Sequence, residues 1–194
     1  MRREFVLDLP FKGAREYLHS TSIVPALTEV AQERFGPQAW VESLTIRRPF
    51  RRAIRASFEP VAASSGSFRV RRGTESIPGW LLETDRPVTR RVASDSSPLS
   101  AAAVSGPGFA RIQEPVPGFA ALEVAVSLMK MVAGRLDPRQ CWLCQLNLDT
   151  PLTSAFPIEV RIRHELGGRF LVFEIVQDGA AIGSARCILE FADS

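Results

Sequence analysis

The opening "REFVLDL" (3–9) alternates apolar and polar residues, which is the period of a strand. The period then changes. Ile23, Leu27, Val30 and Ala31 stand at i, i+4, i+7 and i+8, one face of a helix, and predict a helix over 22–35. Ser20, Thr21 and Ser22 are its candidate N-caps. Pro25 is expected in the first turn, where its missing N–H costs nothing, and "FGPQ" (35–38) ends the helix. Strands are predicted at 40–47, 53–60, 66–72 and 79–85, separated by "RRPF", "VAASSG" and "GTESIPG". A Pro/Ser/Gly/Ala-rich run at 90–108 reads as a linker. Beyond it, "FAALEVAVSLMKMVAGRL" (119–136) predicts a second helix, followed by strands near 141–149, 157–165, 169–177 and 181–191. "ELGGR" and "QDGA" are hairpin signals among them. The second helix is apolar nearly all round, so it must be buried on most of its surface.

The same phrase occurs twice. "QAWVESLTIRRPF" (38–50) and "QCWLCQLNLDTPL" (140–152) both read Gln-x-Trp, then alternating aliphatics, then Pro and a large apolar residue. Shifting the chain on itself by 102 positions aligns Trp40 with Trp142, Val24 with Val126, Ala31 with Ala133, Pro49 with Pro151, Gly66 with Gly168 and Phe68 with Phe170. The matches fall on apolar positions, Pro and Gly, as a shared fold requires. A unit this long is no solenoid repeat; it predicts a duplicated domain. The expected division is a first unit over 1–92, a linker over 93–108 and a second unit over 109–194. One strand, a buried helix and four strands is the order in each half, an α+β plan.

That order, doubled, resembles the hot-dog fold, in which a long helix is wrapped by a curved antiparallel sheet. The resemblance in element order covers the whole chain and implies a tandem (double) hot-dog, two units in one chain standing in for the usual dimer. One motif adds to it. "EPVPGFAALEV" (114–124) is similar to the segment entering the central helix of bacterial 3-hydroxyacyl-acyl-carrier-protein dehydratases, where a catalytic acid follows Pro-Gly by five residues. Here Pro117-Gly118 is followed at that interval by Glu123. The family also places a histidine about fourteen residues before the acid. At that position stands Phe109, a departure from the pattern. In the first half, Thr21 takes the repeat position of Glu123, and His19 stands two residues before it. One half carries His without an acid, the other an acid without His, which suits one composite site.

The resemblance implies acyl-thioester chemistry. Elimination of water from a 3-hydroxyacyl thioester needs a base at the alpha carbon and an acid at the departing hydroxyl. His19 is the expected base. Glu123, buried on an apolar helix, is the expected acid. Thr21 and Ser22, with Pro117 and Gly118, are expected to border the substrate at the helix N-termini, whose free N–H groups can polarise the carbonyl. The same groups could activate water instead, so a thioesterase stands as the alternative, and a non-catalytic acyl- or carrier-binding module as a third reading. Fatty acid or polyketide biosynthesis is the implied setting.

Composition changes this picture little. Of 24 basic residues only Lys12 and Lys130 are lysine, and the net charge is +3. Arg47, Arg48, Arg51 and Arg52 crowd "RRPFRRAIR", a candidate face for an acyl carrier protein or for the phosphate of its pantetheine arm, since guanidinium pairs bidentately with phosphate. Charge is too modest and aromatics too few for nucleic-acid recognition. No apolar run reaches the length of a membrane span, and the opening is too charged for a signal peptide. Cys141, Cys144 and Cys187 show no disulfide pattern, which points to the cytoplasm. The spacing Cys141-x-x-Cys144 has no second pair, so no metal site is expected, and no cofactor. His164 is expected to face solvent, Trp40 and Trp142 to pack in the core or between units, and Met129 and Met131 to fill the core. A pseudo-dimer of this kind can stay alone or pair again as a homodimer.

Overall fold

The computed structural model describes residues 4–136 and 140–190. The chain divides into two compact units, Met1–Ser94 and Asp95–Ser194. The expected linker at 93–108 is mostly structured, and from Asp95 onward it belongs to the second unit. Pro98 opens a short helix there, and Leu99 is 2% exposed, so apolar burial anchors a segment whose composition reads as loop.

The first unit runs β1 (Glu4–Leu7), β2 (Phe11–Lys12), α1 (Ser20–Phe35), β3 (Trp40–Ile46), β4 (Arg52–Ser57), β5 (Gly66–Arg72), β6 (Glu75–Pro87) and β7 (Arg91–Val92). Its antiparallel sheet has the order β1-β4-β6-β5-β3, and β2 pairs with β7 in parallel. α1 packs against both β1 and β3, the two ends of that order. Four strand spacings separate those ends, about 19 Å on a flat sheet. A helix is only about 10 Å across, so the sheet has to curl around it. Ile23, Leu27 and Ala31 of the predicted helix face are fully buried, against a sheet that contributes Leu44, Ile54, Phe68, Val70 and Leu81.

The second unit runs α2 (Ser97–Ala102), β8 (Val104–Gly106), β9 (Phe109–Ile112), α3 (Ala121–Leu136), β10 (Gln140–Leu148), β11 (Ile158–Leu166), β12 (Phe170–Gln177) and β13 (Ala180–Glu190). Its sheet has the order β10-β13-β12-β11-β9-β8. α3 again meets strands at both ends of the wrap, β9 and β10, as well as β11 and β12. Leu122, Val124, Ala125, Val126, Leu128, Met129, Val132 and Ala133 are buried, an arc of about 200° around the helix, while Glu123, Ser127, Lys130 and Gly134 mark its less buried side. The two hairpins fall where the sequence marks them. Gly167 and Gly168 both have positive φ, as do Asp178 and Gly179, the conformation that tight primed turns require.

The units share their order of elements but not their order of strands. In the second, β11, β12 and β13 form a meander. In the first, β6 lies between β4 and β5, and β5 pairs with β3 through Leu44↔Phe68. The loop 58–65 carries the chain past the end of β6 to reach that slot. Phe58 anchors it, edge-on to Phe35 at 4.9 Å and to Phe68 at 5.4 Å, with the Arg34 guanidinium 5.2 Å from its ring. This cluster fixes the C-terminal end of α1.

β6 also begins earlier than the predicted 79–85. The turn is made at Gly73, whose φ is +57°, and the strand then runs through Pro78. Proline is tolerated because β4 first pairs at Trp80, so β6 has a neighbour on one side only at Pro78. Gly79 lies directly opposite Phe68, whose ring lies across it: a Cβ on Gly79 would sit 2.2 Å from Phe68 Cζ.

Two glycines therefore respond oppositely to alanine. Gly79→Ala is expected to destabilise by roughly 1–3 kcal/mol through overpacking of Phe68. Gly134→Ala, at an exposed position of α3 with open space at its Cβ, is expected to stabilise by up to about 1 kcal/mol. Thermal or denaturant unfolding of each variant reads both signs.

Candidate functional site

α1 begins two residues earlier than predicted, and this changes what its first turn presents. The N-cap is His19, in extended conformation (φ −85°, ψ 139°), with no side-chain cap bond. Its carbonyl accepts the N–H groups of Ser22 at 2.9 Å and Ile23 at 3.0 Å. The expected caps Ser20, Thr21 and Ser22 are instead the first three helical residues. Pro25 falls in the second turn, where it removes the N–H that would pair with the Thr21 carbonyl. The start is set by Leu18, which is 2% exposed and donates its N–H to the Phe50 carbonyl at 2.8 Å. With Leu18 pinned in the core, His19 and the first turn follow it inward.

His19, Ser20 and Thr21 are all buried. The imidazole stacks on Tyr17, with centroids 6.0 Å apart and planes at 21°. Its Nδ1 lies 3.0 Å from Thr21 Oγ1, and that oxygen accepts a hydrogen bond from Lys12 Nζ at 3.1 Å. Ser22 Oγ is shielded from solvent and has no hydrogen-bond partner among the described residues. No acidic residue occupies the first turn, so the unpaired N–H groups of the helix N-terminus face no internal carboxylate from α1. His19, Thr21 and Ser22 are thus brought together. Lys12 joins them without any sequence signal, because only the β2–β7 pairing and the turn after it carry residue 12 to residue 21.

At α3, Pro117 and Gly118 explain themselves as turn chemistry. The Phe119 N–H donates to the Val116 carbonyl at 3.2 Å, and Gly118 has φ +83°, the arrangement of a type II turn with Pro and Gly in its central positions. Glu123 is the third residue of the helix. Its Oε2 accepts the Ala120 N–H at 3.2 Å, the return half of a capping box. The expectation of a buried acid is not met: Glu123 is only half-buried and is spent in part on capping its own helix. A cleft of ≈ 370 Å³ opens beside this turn, lined by Ala102, Ile112 and residues 113–117. Pro117 borders it, while Gly118 and Glu123 do not.

Arg47, Arg48, Arg51 and Arg52 form an exposed cluster on the β3–β4 connection. Arg47 donates to the Ser64 carbonyl at 3.0 Å, Arg48 lies 3.8 Å from Glu83, and Arg52 lies 3.7 Å from Asp85. Glu83 also accepts the main-chain N–H groups of Arg51 and Arg52. The patch remains net positive, but two of its guanidinium groups have carboxylate neighbours in weak, exposed pairs.

The other singled-out residues are structural. His164 is exposed, at a bulge of β11. Met129 is fully buried, Trp142 is 7% exposed, and Trp40 is half-buried. Cys141, Cys144 and Cys187 are free thiols. Cys144 occupies the bulge between Leu143 and Gln145, so the simple i, i+3 strand alternation does not apply to it. Burial pushes its thiol up to about 11. Cys141 is held below the usual thiol range, first by a hydrogen bond from Cys187 and then by the charge of Lys130. Cys187 is pushed well above that range by the same bond and by burial. Among the described residues no group of three or more His, Cys, Asp or Glu is placed to hold a metal ion, and no helix is long and apolar enough to cross a membrane.

No protein-family model matches the chain, and no curated protein sequence matches it. Solved structures do. The dehydratase domain of PpsC from Mycobacterium tuberculosis, determined in complex with C12:1-CoA, is similar over 96% of this chain and 88% of its own, at 12% identity and a TM-score of 0.54. A pyran synthase domain from module nine of the sorangicin pathway is similar over 98% and 93%, at 12% identity and 0.52. A protein assigned as a thioesterase II in Thermobifida fusca YX is similar over 100% and 94%, at 10% identity and 0.54. At these identities the likeness is one of fold: the chain is a double hot-dog.

The thiols give a direct check on the electrostatics of the β10–β13 pair. With iodoacetamide at about pH 8, Cys141 should be alkylated first, as the half-exposed thiol that ionises most readily. Cys144 and Cys187 should react only on unfolding. Peptide mass mapping reads the order, and preferential labelling of Cys144 would contradict it.

Proposed function

We propose that this chain processes acyl thioesters and acts as a 3-hydroxyacyl-thioester dehydratase, a lyase. The observation that carries the reading is the buried imidazole of His19 at the mouth of a central hot-dog helix, held by Tyr17, Thr21 and Lys12. A hydrogen-bonded imidazole beside unpaired helix N–H groups can exchange a proton with a substrate whose carbonyl those N–H groups polarise. In the elimination, a proton leaves the alpha carbon, the bond to the beta hydroxyl breaks, and that hydroxyl departs as water after gaining a proton. His19 is assigned to proton transfer, and Thr21 and Ser22 to the carbonyl end of the substrate. Glu123 at the second helix is proposed for the other proton transfer, and Pro117 and Gly118 for substrate contact. The chemistry needs no cofactor, and none is proposed.

The similarity to a domain described with a bound C12:1-CoA thioester supports acyl-CoA or acyl-carrier-protein substrates. The arginine patch at 47–52 is proposed as the face that meets the carrier protein or the phosphate of its pantetheine arm. Three free thiols support a reducing, cytoplasmic setting. Hydrolysis is the second reading, favoured by the likeness to the Thermobifida protein and by the fact that the same groups can activate water.

Incubation with a 3-hydroxyacyl thioester distinguishes the readings. An enoyl product, followed by its conjugated absorbance, is the expected result; release of free thiol would indicate hydrolysis. Neither product, with unchanged substrate, would leave a binding module. His19→Ala is expected to lower kcat/KM by about 10²–10⁴-fold. An activity that survives His19→Ala intact removes His19 from the mechanism.

A further inference from the structure

We propose that Cys141 and Cys187 form a peroxide-oxidisable dithiol, a modification site at which a hydroperoxide joins the two thiols as a disulfide within the second unit. The proposal is independent of the acyl-thioester reading and of the turn of α1 on which that reading rests.

The strand register brings the two sulfurs together. Cys141 lies opposite Leu189, and Leu143 lies opposite Cys187. Side chains alternate across a strand, so residues 141 and 143 of β10 and residues 187 and 189 of β13 project from one face of the sheet. Cys141 and Cys187 are therefore diagonal neighbours on that face, and their thiols are hydrogen-bonded to each other. Cys187 is 2% exposed, while Cys141 is half-buried. One sulfur is thus open to a small solute and the other is held behind it. Cys144 stands apart from this alternation, at the bulge between Leu143 and Gln145. Its thiol donates to the Arg186 carbonyl at 3.2 Å, so its hydrogen is spent on main chain.

Within the pair, one sulfur carries charge more easily and the other donates. A thiolate on Cys141 accepts from Cys187, keeps part of its hydration and feels the positive charge of Lys130 on α3. Cys187 keeps its proton because that bond, its burial and a charge on Cys141 all disfavour a second thiolate. The accessible sulfur is therefore the nucleophile.

The Cys141 thiolate attacks one oxygen of the hydroperoxide, the O–O bond breaks, and sulfur is oxidised to a sulfenic acid while the other oxygen leaves and is protonated. The neutral sulfenic acid no longer holds back ionisation of its neighbour. Cys187 then attacks the Cys141 sulfur, and the sulfenic hydroxyl departs as water with the Cys187 proton. With hydrogen peroxide the sum is two thiols and one peroxide giving one disulfide and two waters. Diagonal neighbours sit about 7–8 Å apart at Cα, slightly beyond the usual disulfide span, so closure draws the strands together. The bulge beside Leu143 gives β10 the slack for that movement.

The test exposes the folded protein to hydrogen peroxide at a dose that oxidises free cysteine, then unfolds it and alkylates it with iodoacetamide. The chain has three cysteines, so reduced protein should take up three labels and oxidised protein one, on Cys144. Non-reducing peptide mapping should recover the peptides of Cys141 and Cys187 joined, and dithiothreitol should restore all three labels. Cys187→Ser should leave the sulfenic acid unresolved, so that dimedone labels Cys141. Cys141→Ser should give neither disulfide nor dimedone adduct. Should either variant fail to fold, the wild-type mapping decides alone. A disulfide that includes Cys144, linkage only between chains, Cys141 driven to sulfinic acid beside a free Cys187, or retention of all three labels overturns the proposal.

Discussion

Two helices that must be kept from water set the terms for the rest of this chain. A helix with one apolar face can rest on a flat layer. α3 is rich in apolar residues, and its buried arc takes in somewhat more than half of its circumference, so a flat neighbour would leave part of that arc exposed. The antiparallel sheet answers by curling until strands four places apart touch the same helix. α1 makes the same demand of its own sheet through Ile23, Leu27 and Ala31. Each fully buried Ile or Leu of this kind contributes about 1.5–3 kcal/mol relative to exposure, most of which the entropy of ordering the chain offsets.

The functional reading follows from where that enclosure ends. A sheet can cover the side of a helix but not its first turn, whose N–H groups lack partners within the helix. At α3 the turn is closed by Glu123, which accepts the Ala120 N–H, and by the Pro117-Gly118 turn that leads into it. The first turn of α1 itself holds no acidic residue, and an imidazole, hydroxyls and an ammonium gather there instead. The two units therefore differ most at the one place where each fold leaves polar backbone unspent.

Much of the architecture was legible because it depends on local pattern. The period of Ile23, Leu27 and Ala31, the apolar run at 119–136, and the glycine turns at 167–168 and 178–179 each state their own conformation. What was not legible depends on partners far along the chain. The start of α1 is set by the bond from Leu18 to Phe50. β6 passes through Pro78 only because β4 stops short of it. The strand order of the first unit turns on the loop 58–65, anchored by Phe58, and no periodicity announces it. α2 was hidden in a linker-like composition, with Leu99 its one apolar anchor. Of the candidate site, His19 and Glu123 were visible as residue types near helix starts, but the burial of one and the half-exposure of the other were not. Lys12 carried no signal at all, because its partner is reached through the fold.

The central claim, that acyl thioesters engage the N-terminal turn of α1, is tested most directly by titrating ¹⁵N-labelled protein with a non-hydrolysable 3-hydroxyacyl-pantetheine analogue and following backbone amides. The account predicts saturable shifts concentrated on His19, Ser20, Thr21 and Ser22. Shifts that leave this turn unmoved, and gather instead on another surface such as the cleft lined by Phe109, Arg111, Glu159 and Arg161, would contradict it.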